Sequence, residues 1–297
     1  MYKELAIIAP TASGKTAVSI RLAHKIDAVI LSLDSLAVYK KIDIASAKPI
    51  ATERDGIVHF GIDCVYPDEV FDVIEFYTEY DKAKSYAIQN EKNLIIVGGT
   101  GFYLKALIDG LSVTPKISDE TNARVKNEMN TLAFLHEKLN LLDPIYMQKI
   151  ASTDRYRIEK VAQIYFETGM VPSEYFSQNK AVGKLQNLPI YEIQTDPDIL
   201  RNRIQLRTKM MLEDGLIDEV IALEKEYTRA PNCMNSIGIS EVFDYLDSKI
   251  TKKELEELIS IHTAQLAKRQ RTFNKSQFKN VQKTPLNIIE ELILSQH

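Results

Sequence analysis

The chain has 297 residues, of which 45% are hydrophobic and 26% charged, and its formal net charge is −4 at pH 7. This balance is typical of a folded globular protein and argues against non-specific binding to nucleic acid, although it permits a local basic surface. No hydrophobic run reaches the length of a membrane span, and no secretory or transit segment is recognisable. Two distant cysteines and five histidines without ligand spacing predict a reduced, cytoplasmic protein without a zinc site.

The N-terminal segment carries the most informative motif. A short hydrophobic run, residues 5–9, precedes a loop ending in Gly14-Lys15-Thr16 and then a helical pattern. A strand, a loop and a helix in this order are typical of a phosphate-binding loop, whose amides, lysine and helix N-terminus hold an anion. The residues predicted to bind a di- or triphosphate are Ala9, Pro10, Thr11, Ala12, Ser13, Gly14, Lys15 and Thr16.

Both ends of this loop raise a specific expectation. Ala9 stands at the first position of the motif, where glycine is usual. A β-carbon there would cost energy if the backbone φ angle were positive. At the other end, the Thr16 hydroxyl is the predicted ligand of Mg²⁺, which is the expected cofactor.

Further strands are predicted at 28–33, 57–65, 94–97 and 187–194, with a helix over 70–90 between the second and third of these. This alternation predicts an α/β fold, a P-loop NTPase-like parallel sheet flanked by helices. Ligands of such sheets bind beyond the carboxyl ends of the strands. We therefore expect Asp34 and Thr100, which follow two of these strands, to lie beside the phosphate loop. From its position, Asp34 is either a magnesium ligand or a general base.

The pattern changes after Pro115, where helical stretches replace strands. They are predicted at 118–130, 132–140 and 153–168, and they indicate a small all-helical insertion domain. The predicted organisation is a core of residues 1–115, an insertion of residues 116–182 and a second part of the core, residues 183–297. That second part contains predicted helices at 197–213, 215–227, 236–247 and 251–272.

Two clusters of basic residues lie in the C-terminal part. One comprises Arg201, Arg203, Arg207 and Lys209, and the other extends from Gln265 to Lys283 and contains no acidic residue. Both patterns are compatible with a solvated helix face and with a surface that contacts phosphates.

Six short motifs in this order connect the chain with a known family. They are Ala9–Thr16, Asp34-Ser-Leu-Ala-Val-Tyr-Lys40, Ile44-Ala-Ser-Ala-Lys-Pro49, His59 with Asp63, Val97-Gly-Gly-Thr-Gly-Phe-Tyr103 and Gln265-Leu-Ala-Lys-Arg-Gln270. Together they resemble the motifs of the bacterial tRNA dimethylallyltransferases, the IPP transferase family. The resemblance runs through most of the chain.

The resemblance implies a prenyl transfer to tRNA. The donor would be dimethylallyl diphosphate, and the acceptor the exocyclic amine of adenine 37, next to the anticodon. The product would be N6-dimethylallyladenosine (i6A) in tRNAs that read codons starting with U. The enzyme would act as a monomer on the anticodon stem-loop in the cytoplasm, with no membrane association.

The resemblance also implies roles for individual residues. Asp34, Thr100 and Arg157 would be catalytic, with Asp34 taking the proton of the amine or orienting it. The residues implied to contact tRNA are Asp34, Ser35, Leu36, Ala37, Thr100, Asn122, Arg124, Arg157, Lys160, Gln265 and Arg269.

Some positions depart from the family pattern, and one alternative function stays open. Lys160 occupies a second basic position but lacks the planar fork of arginine, and Ile239 replaces a tyrosine. The hydroxyl of Thr100 would also serve as an ordinary helix cap. The alternative is a small-molecule or nucleotide kinase, which would use the same loop to bind ATP.

Overall fold

The structure is a computed structural model that describes residues 2–111, 114–179 and 182–296. Within these ranges, six strands form one sheet in the order β3-β2-β4-β1-β5-β6, and every pairing is parallel. The strands are β1 (Glu4–Ile8), β2 (Ala28–Leu33), β3 (His59–Phe60), β4 (Asn93–Gly98), β5 (Ile190–Gln194) and β6 (Gln282–Pro285). The predicted α/β fold is confirmed. Among the described helices, none is long and apolar enough to cross a membrane.

Different helices cover the two faces of the sheet, because side chains alternate along each strand. The helices that accompany the sheet are α1 (Lys15–Lys25), α2 (Val73–Gln89), α3 (Gly101–Asp109), α9 (Pro197–Glu213), α10 (Leu216–Tyr227), α11 (Ile239–Leu246), α12 (Lys252–Gln277) and α13 (Ile289–Gln296). On one face, Ile7 and Ile30 pack in a core with α1 and α13. On the other face, Ile8 and Leu31 pack with α2 and α3. Burial on both faces explains the nearly continuous hydrophobic runs of the central strands.

A third core lies beside the sheet and contains the C-terminal helices. It joins α10, α11 and α12 to the segment that follows β2, with Ile42, Leu223 and Ile259 fully or almost fully buried. The segment after β2 carries Asp34 and is therefore packed against helices that are remote from it in sequence.

Some strands and helices differ from the sequence-based prediction. The predicted strand 57–65 is wrong in length, because only His59–Phe60 pairs with β2. Positive φ angles at Gly61 (71°) and Asp63 (54°) end the extended conformation there. No prediction from the sequence covers β6 or α13. For β6, the sequence Gln-Lys-Thr-Pro lacks the hydrophobic alternation by which a strand is recognised.

Residues 109–184 form a second compact unit, while residues 1–108 and 185–297 form the first. The second unit begins before and ends after the predicted insertion, 116–182. Its helices are α4 (Asp119–Glu128), α5 (Leu132–Leu142), α6 (Pro144–Met147), α7 (Arg155–Thr168) and α8 (Pro172–Gln178). It has its own hydrophobic core, in which Leu135 and Ile158 are fully buried.

The ends of β2 and β4 approach each other so closely that Gly98 has no room for a side chain. A Cβ atom added to Gly98 would lie 2.5 Å from Leu33 Cβ and 2.6 Å from the Leu33 carbonyl carbon. Directly after this contact, the Thr100 amide donates a hydrogen bond to the Leu33 carbonyl, at 3.0 Å. The missing side chain at Gly98 thus lets Thr100 follow the same sheet edge as Asp34.

We predict that Gly98→Ala lowers the free energy of unfolding by about 1–3 kcal/mol, because the new methyl group overlaps the backbone of β2. Chemical denaturation of the purified variant measures this change. The matched control is Ser32→Ala on the neighbouring strand, which we expect to change stability by less than about 0.5 kcal/mol. Equal stability of the two variants would contradict the close packing described for Gly98.

Candidate active site

The phosphate loop connects β1 to α1 and begins beside the end of β4. The Ala9 amide donates to the Gly98 carbonyl at 3.3 Å, and Ala9 is fully buried. Ala9 is not among the residues with a positive φ angle, so the backbone strain considered for this alanine does not arise. Instead, Ala12 (φ 61°) and Gly14 (φ 89°) adopt the left-handed conformation that turns the chain into α1.

Helices α9 and α12 supply three contacts to this loop that sequence reasoning did not assign. Arg203 donates to the Ser13 carbonyl at 3.1 Å, and Arg207 donates to the Thr11 hydroxyl at 3.4 Å. Gln270 accepts a hydrogen bond from the Thr11 amide at 2.9 Å. The four-residue spacing of Arg203 and Arg207 on one helix was the available signal. It identified a basic helix face but not what the face contacts.

Lys15 and Arg207 form a desolvated cationic pair next to Asp34. Burial lowers the pKa of Lys15 from 10.5 to about 8, while Asp34 raises this pKa and Arg207 lowers it further. Burial also lowers the pKa of Arg207, and Asp34 opposes that shift. The unfolded chain keeps the Lys15 proton at higher pH than the folded chain does. Charging Lys15 therefore destabilises the fold at neutral pH, and this penalty disappears as the pH rises between about 8 and 10.5.

Asp34 and Thr100 line one cavity of about 300 Å³ together with Lys15 and Arg207. Asp34 Oδ1 accepts hydrogen bonds from the backbone amides of Leu36 (2.9 Å) and Ala37 (3.1 Å), which fixes the carboxylate at the end of β2. No residue in the described ranges donates to Asp34 Oδ2 or to the Thr100 hydroxyl, so both groups are available to a ligand.

The neighbours of Asp34 differ in their exposure. Ser35 is exposed and Leu36 is half-buried, and both line the same cavity as Asp34. Ala37 is buried and lines a smaller adjoining cavity of about 60 Å³.

A larger cavity of about 410 Å³, beside Glu4 at the start of β1, contains none of the predicted site residues.

Gln265 and Arg269 lie exposed on α12, one turn apart. Gln270, which contacts the phosphate loop, is half-buried on the same helix and also lines the 300 Å³ cavity. Helix α12 therefore combines residues of the candidate site with an exposed polar side. The proposed contact of Gln265 and Arg269 with tRNA stays a prediction.

The remaining predicted residues are exposed on the helical unit, where side-chain contacts hold them. Asn122 accepts from Gln163 at 3.1 Å, and Lys160 donates to the same glutamine at 3.0 Å. Arg124 lies over the ring of Phe166, with the guanidinium carbon 4.0 Å from the ring centre. Arg157 is 3.5 Å from Asp154 and 63% exposed. These positions are open to a partner, but their contact with tRNA stays a prediction.

Comparison with known proteins identifies the family of this chain. Residues 37–277 match the family described as IPP transferase. The chain is 54% identical to the tRNA dimethylallyltransferase of Sulfurovum sp. over 293 residues, which cover 98% of this chain and 97% of that protein. It is also 54% identical to the tRNA dimethylallyltransferase of Aliarcobacter butzleri over 290 residues, which cover 98% and 96% of the two chains.

Two solved structures have similar folds. The full-length tRNA isopentenylpyrophosphate transferase of Bacillus halodurans has a TM-score of 0.73 and 28% identity, covering 100% of this chain and 97% of that one. A eukaryotic dimethylallyltransferase acting on tRNA has a TM-score of 0.82 and 26% identity, covering 99% of this chain and 77% of that one.

We predict that the affinity for an organic diphosphate falls above pH about 8, by up to about tenfold per pH unit, because Lys15 loses its charge there. The ligand itself stays fully ionised in this range, since the last ionisation of a phosphate group lies near pH 6. Calorimetric titration between pH 7 and 9.5 measures the effect.

The control for this prediction is Lys15→Arg, because the guanidinium stays charged throughout the range. We expect its affinity, whatever its absolute value, to change little with pH. Parallel pH profiles for the wild type and Lys15→Arg would show that another group controls anion binding.

Proposed function

The chain belongs to the IPP transferase family of tRNA dimethylallyltransferases, and on that premise we propose that it transfers the dimethylallyl group of dimethylallyl diphosphate to the exocyclic amine of adenine 37, beside the anticodon. The product is N6-dimethylallyladenosine, in tRNAs that read codons starting with U. The observation that carries this proposal is the grouping of Lys15, Asp34 and Thr100 around one cavity. A cation beside a carboxylate suits a reaction with an anionic leaving group and an acceptor that loses a proton.

The leaving group is the first chemical problem that the site addresses. When the carbon–oxygen bond of the donor breaks, its electron pair stays with the diphosphate and the allyl carbon becomes positive. Lys15, Arg207 and the amides of the phosphate loop stabilise the negative charge that develops on the diphosphate. Their effect is large because these groups are desolvated and already held in place. Arg157 keeps the catalytic role that the family resemblance implies.

The proton of the acceptor is the second problem. The amine nitrogen of adenine forms a bond to the allyl carbon and releases one proton. Asp34 Oδ1 is engaged by two backbone amides, so we assign Oδ2 as the atom that takes this proton. We assign the Thr100 hydroxyl to orient the amine by a hydrogen bond.

Mg²⁺ is the proposed cofactor. Thr16 is exposed at the start of α1, beside the loop proposed to bind the diphosphate. A hydroxyl oxygen suits this ion, so Thr16 would be its protein ligand. When bound, the ion would neutralise charge on the diphosphate.

The acceptor requires residues that bind nucleic acid. Adenine 37 has to leave the stacked anticodon loop before its amine reaches Asp34, and Ser35, Leu36 and Ala37 are proposed to border its path. The exposed residues proposed to hold the anticodon stem-loop are Asn122, Arg124, Arg157, Lys160, Gln265 and Arg269. We propose that a monomer carries out this reaction in the cytoplasm, where unmodified tRNA is available.

We predict that dimethylallyl diphosphate supports modification of unmodified tRNA and that ATP alone does not. Mass spectrometry of nucleosides from the digested tRNA detects the added five-carbon group and the modified adenosine. A tRNA carrying guanosine at position 37 is the matched control, since guanine has an oxygen at C6 where adenine has its amino group. Phosphate transfer or ATP hydrolysis without the prenyl donor would overturn the proposal in favour of the kinase.

We predict that Asp34→Asn lowers the single-turnover rate by about 10²–10⁴, because the amide keeps the shape of the carboxylate but does not accept a proton. Binding of tRNA and of the donor should be nearly unchanged. Single-turnover transfer across a magnesium titration measures the rate, and filter binding measures the affinity for tRNA. Recovery of the rate at high magnesium would instead identify Asp34 as a metal ligand.

A further inference from the structure

Residues 43–48, which follow β2, form one wall of the candidate site. Ala45 and Ser46 line the 300 Å³ cavity together with Asp34 and Thr100, and Ser46 also lines the adjoining 60 Å³ cavity. We call residues 43–48 the 43–48 wall. Because the wall borders the cavity that holds the proposed base, a displacement of it would change the shape of the site.

Glu219 on α10 holds the 43–48 wall by its backbone. The Glu219 carboxylate accepts hydrogen bonds from three consecutive amides, those of Asp43 (2.9 Å), Ile44 (2.7 Å) and Ala45 (2.9 Å). Hydrogen bonds to an ionised acceptor are roughly twice as strong as neutral ones. One side chain remote in sequence therefore fixes half of the wall.

The other half of the wall is strained and is held by a buried lysine. Ala47 has a φ angle of 45°, which is unfavourable for a residue with a β-carbon. The Lys48 ammonium group is buried and contacts the Tyr39 carbonyl (3.0 Å), Asp43 (2.6 Å) and Asp63. Backbone strain persists only where the surroundings determine the conformation. The contacts of Glu219 and Lys48 thus determine the conformation of the 43–48 wall.

Part of the cavity surface is hydrophobic, although polar residues such as Ser46 and Ser236 also line it. Leu36, Met211 and Ile237 line the same cavity, and Ala45 belongs to the same core as these three residues. By contrast, Lys15, Arg207 and Asp34 provide the charged part of the lining. A ligand with a charged head and a short hydrocarbon chain matches this separation.

We infer that Glu219 is a positioning residue that holds the 43–48 wall against the five-carbon chain of the donor. This inference rests on the proposed function, since it takes dimethylallyl diphosphate as the donor. Glu219 does not touch the reacting atoms. It acts through Ala45, whose small side chain leaves the space that the hydrocarbon chain occupies.

The test compares two ligands that share the diphosphate group. Dimethylallyl S-thiolodiphosphate, in which sulfur replaces the bridging oxygen, has the hydrocarbon chain but reacts poorly, and inorganic diphosphate lacks the chain. We expect Glu219→Gln to weaken binding of the thiolo analogue about tenfold or more, because contacts with a hydrocarbon group are worth at least that factor. Calorimetry should show inorganic diphosphate binding changed by less than about twofold. In steady-state transfer, the KM for the donor should rise while the KM for tRNA does not.

Two further variants keep the inference testable. Ala45→Val leaves the Glu219 contacts in place but fills the cavity, so it should also weaken binding of the thiolo analogue selectively, even if Glu219→Gln does not fold. Glu226→Gln, on the same helix but in an exposed pair with Lys41, is the control and should bind both ligands as the wild type does.

The outcomes separate this inference from the proposed function. A wild-type protein that binds the thiolo analogue no better than inorganic diphosphate would contradict the donor assignment itself. A wild type that prefers the analogue, with the same preference in Glu219→Gln and Ala45→Val, would leave the donor assignment intact and overturn the role of the 43–48 wall.

Discussion

The parallel register of β1, β4 and β2 is the constraint on which the rest of the site depends. Gly98 pairs with Ile8 on one side and with Leu33 on the other, so three strands end at the same level. The phosphate loop, Thr100 and Asp34 follow these three ends directly. Backbone hydrogen bonds and the missing side chain at Gly98 contribute to this arrangement.

The burial of charged groups around the cavity lowers the stability of the fold. Lys15 and Arg207 are both desolvated, and each would be less stable as a charged group without the nearby carboxylate of Asp34. A diphosphate entering the site supplies negative charge to cations that already lack water. The same desolvation makes these cations more effective on a leaving group than they would be at the surface.

The C-terminal half of the chain completes a site that the N-terminal half begins. Arg203 and Arg207 from α9 and Gln270 from α12 contact the phosphate loop. Glu219 from α10 accepts a hydrogen bond from the Ala45 amide and so holds the 43–48 wall. Tight packing joins the two halves, since a Cβ atom added to Gly99 would lie 3.0 Å from the Gln270 amide carbon. The site is therefore a property of the assembled sheet and helices rather than of the phosphate loop alone.

The sequence by itself determined the α/β fold, most helices of the core, the phosphate loop and the strand-end positions of Asp34 and Thr100. These follow from local signals, namely hydrophobic periodicity and a motif whose spacing reflects backbone geometry. Only the tertiary structure decided that the strain at Ala9 does not arise and that the strand after β2 shortens to His59–Phe60. It also decided that Arg207 and Gln270 reach the phosphate loop and that Glu219 reaches the 43–48 wall. The physical reason is that these features depend on contacts between residues more than a hundred positions apart, or on single backbone angles, and neither leaves a periodic trace in the sequence.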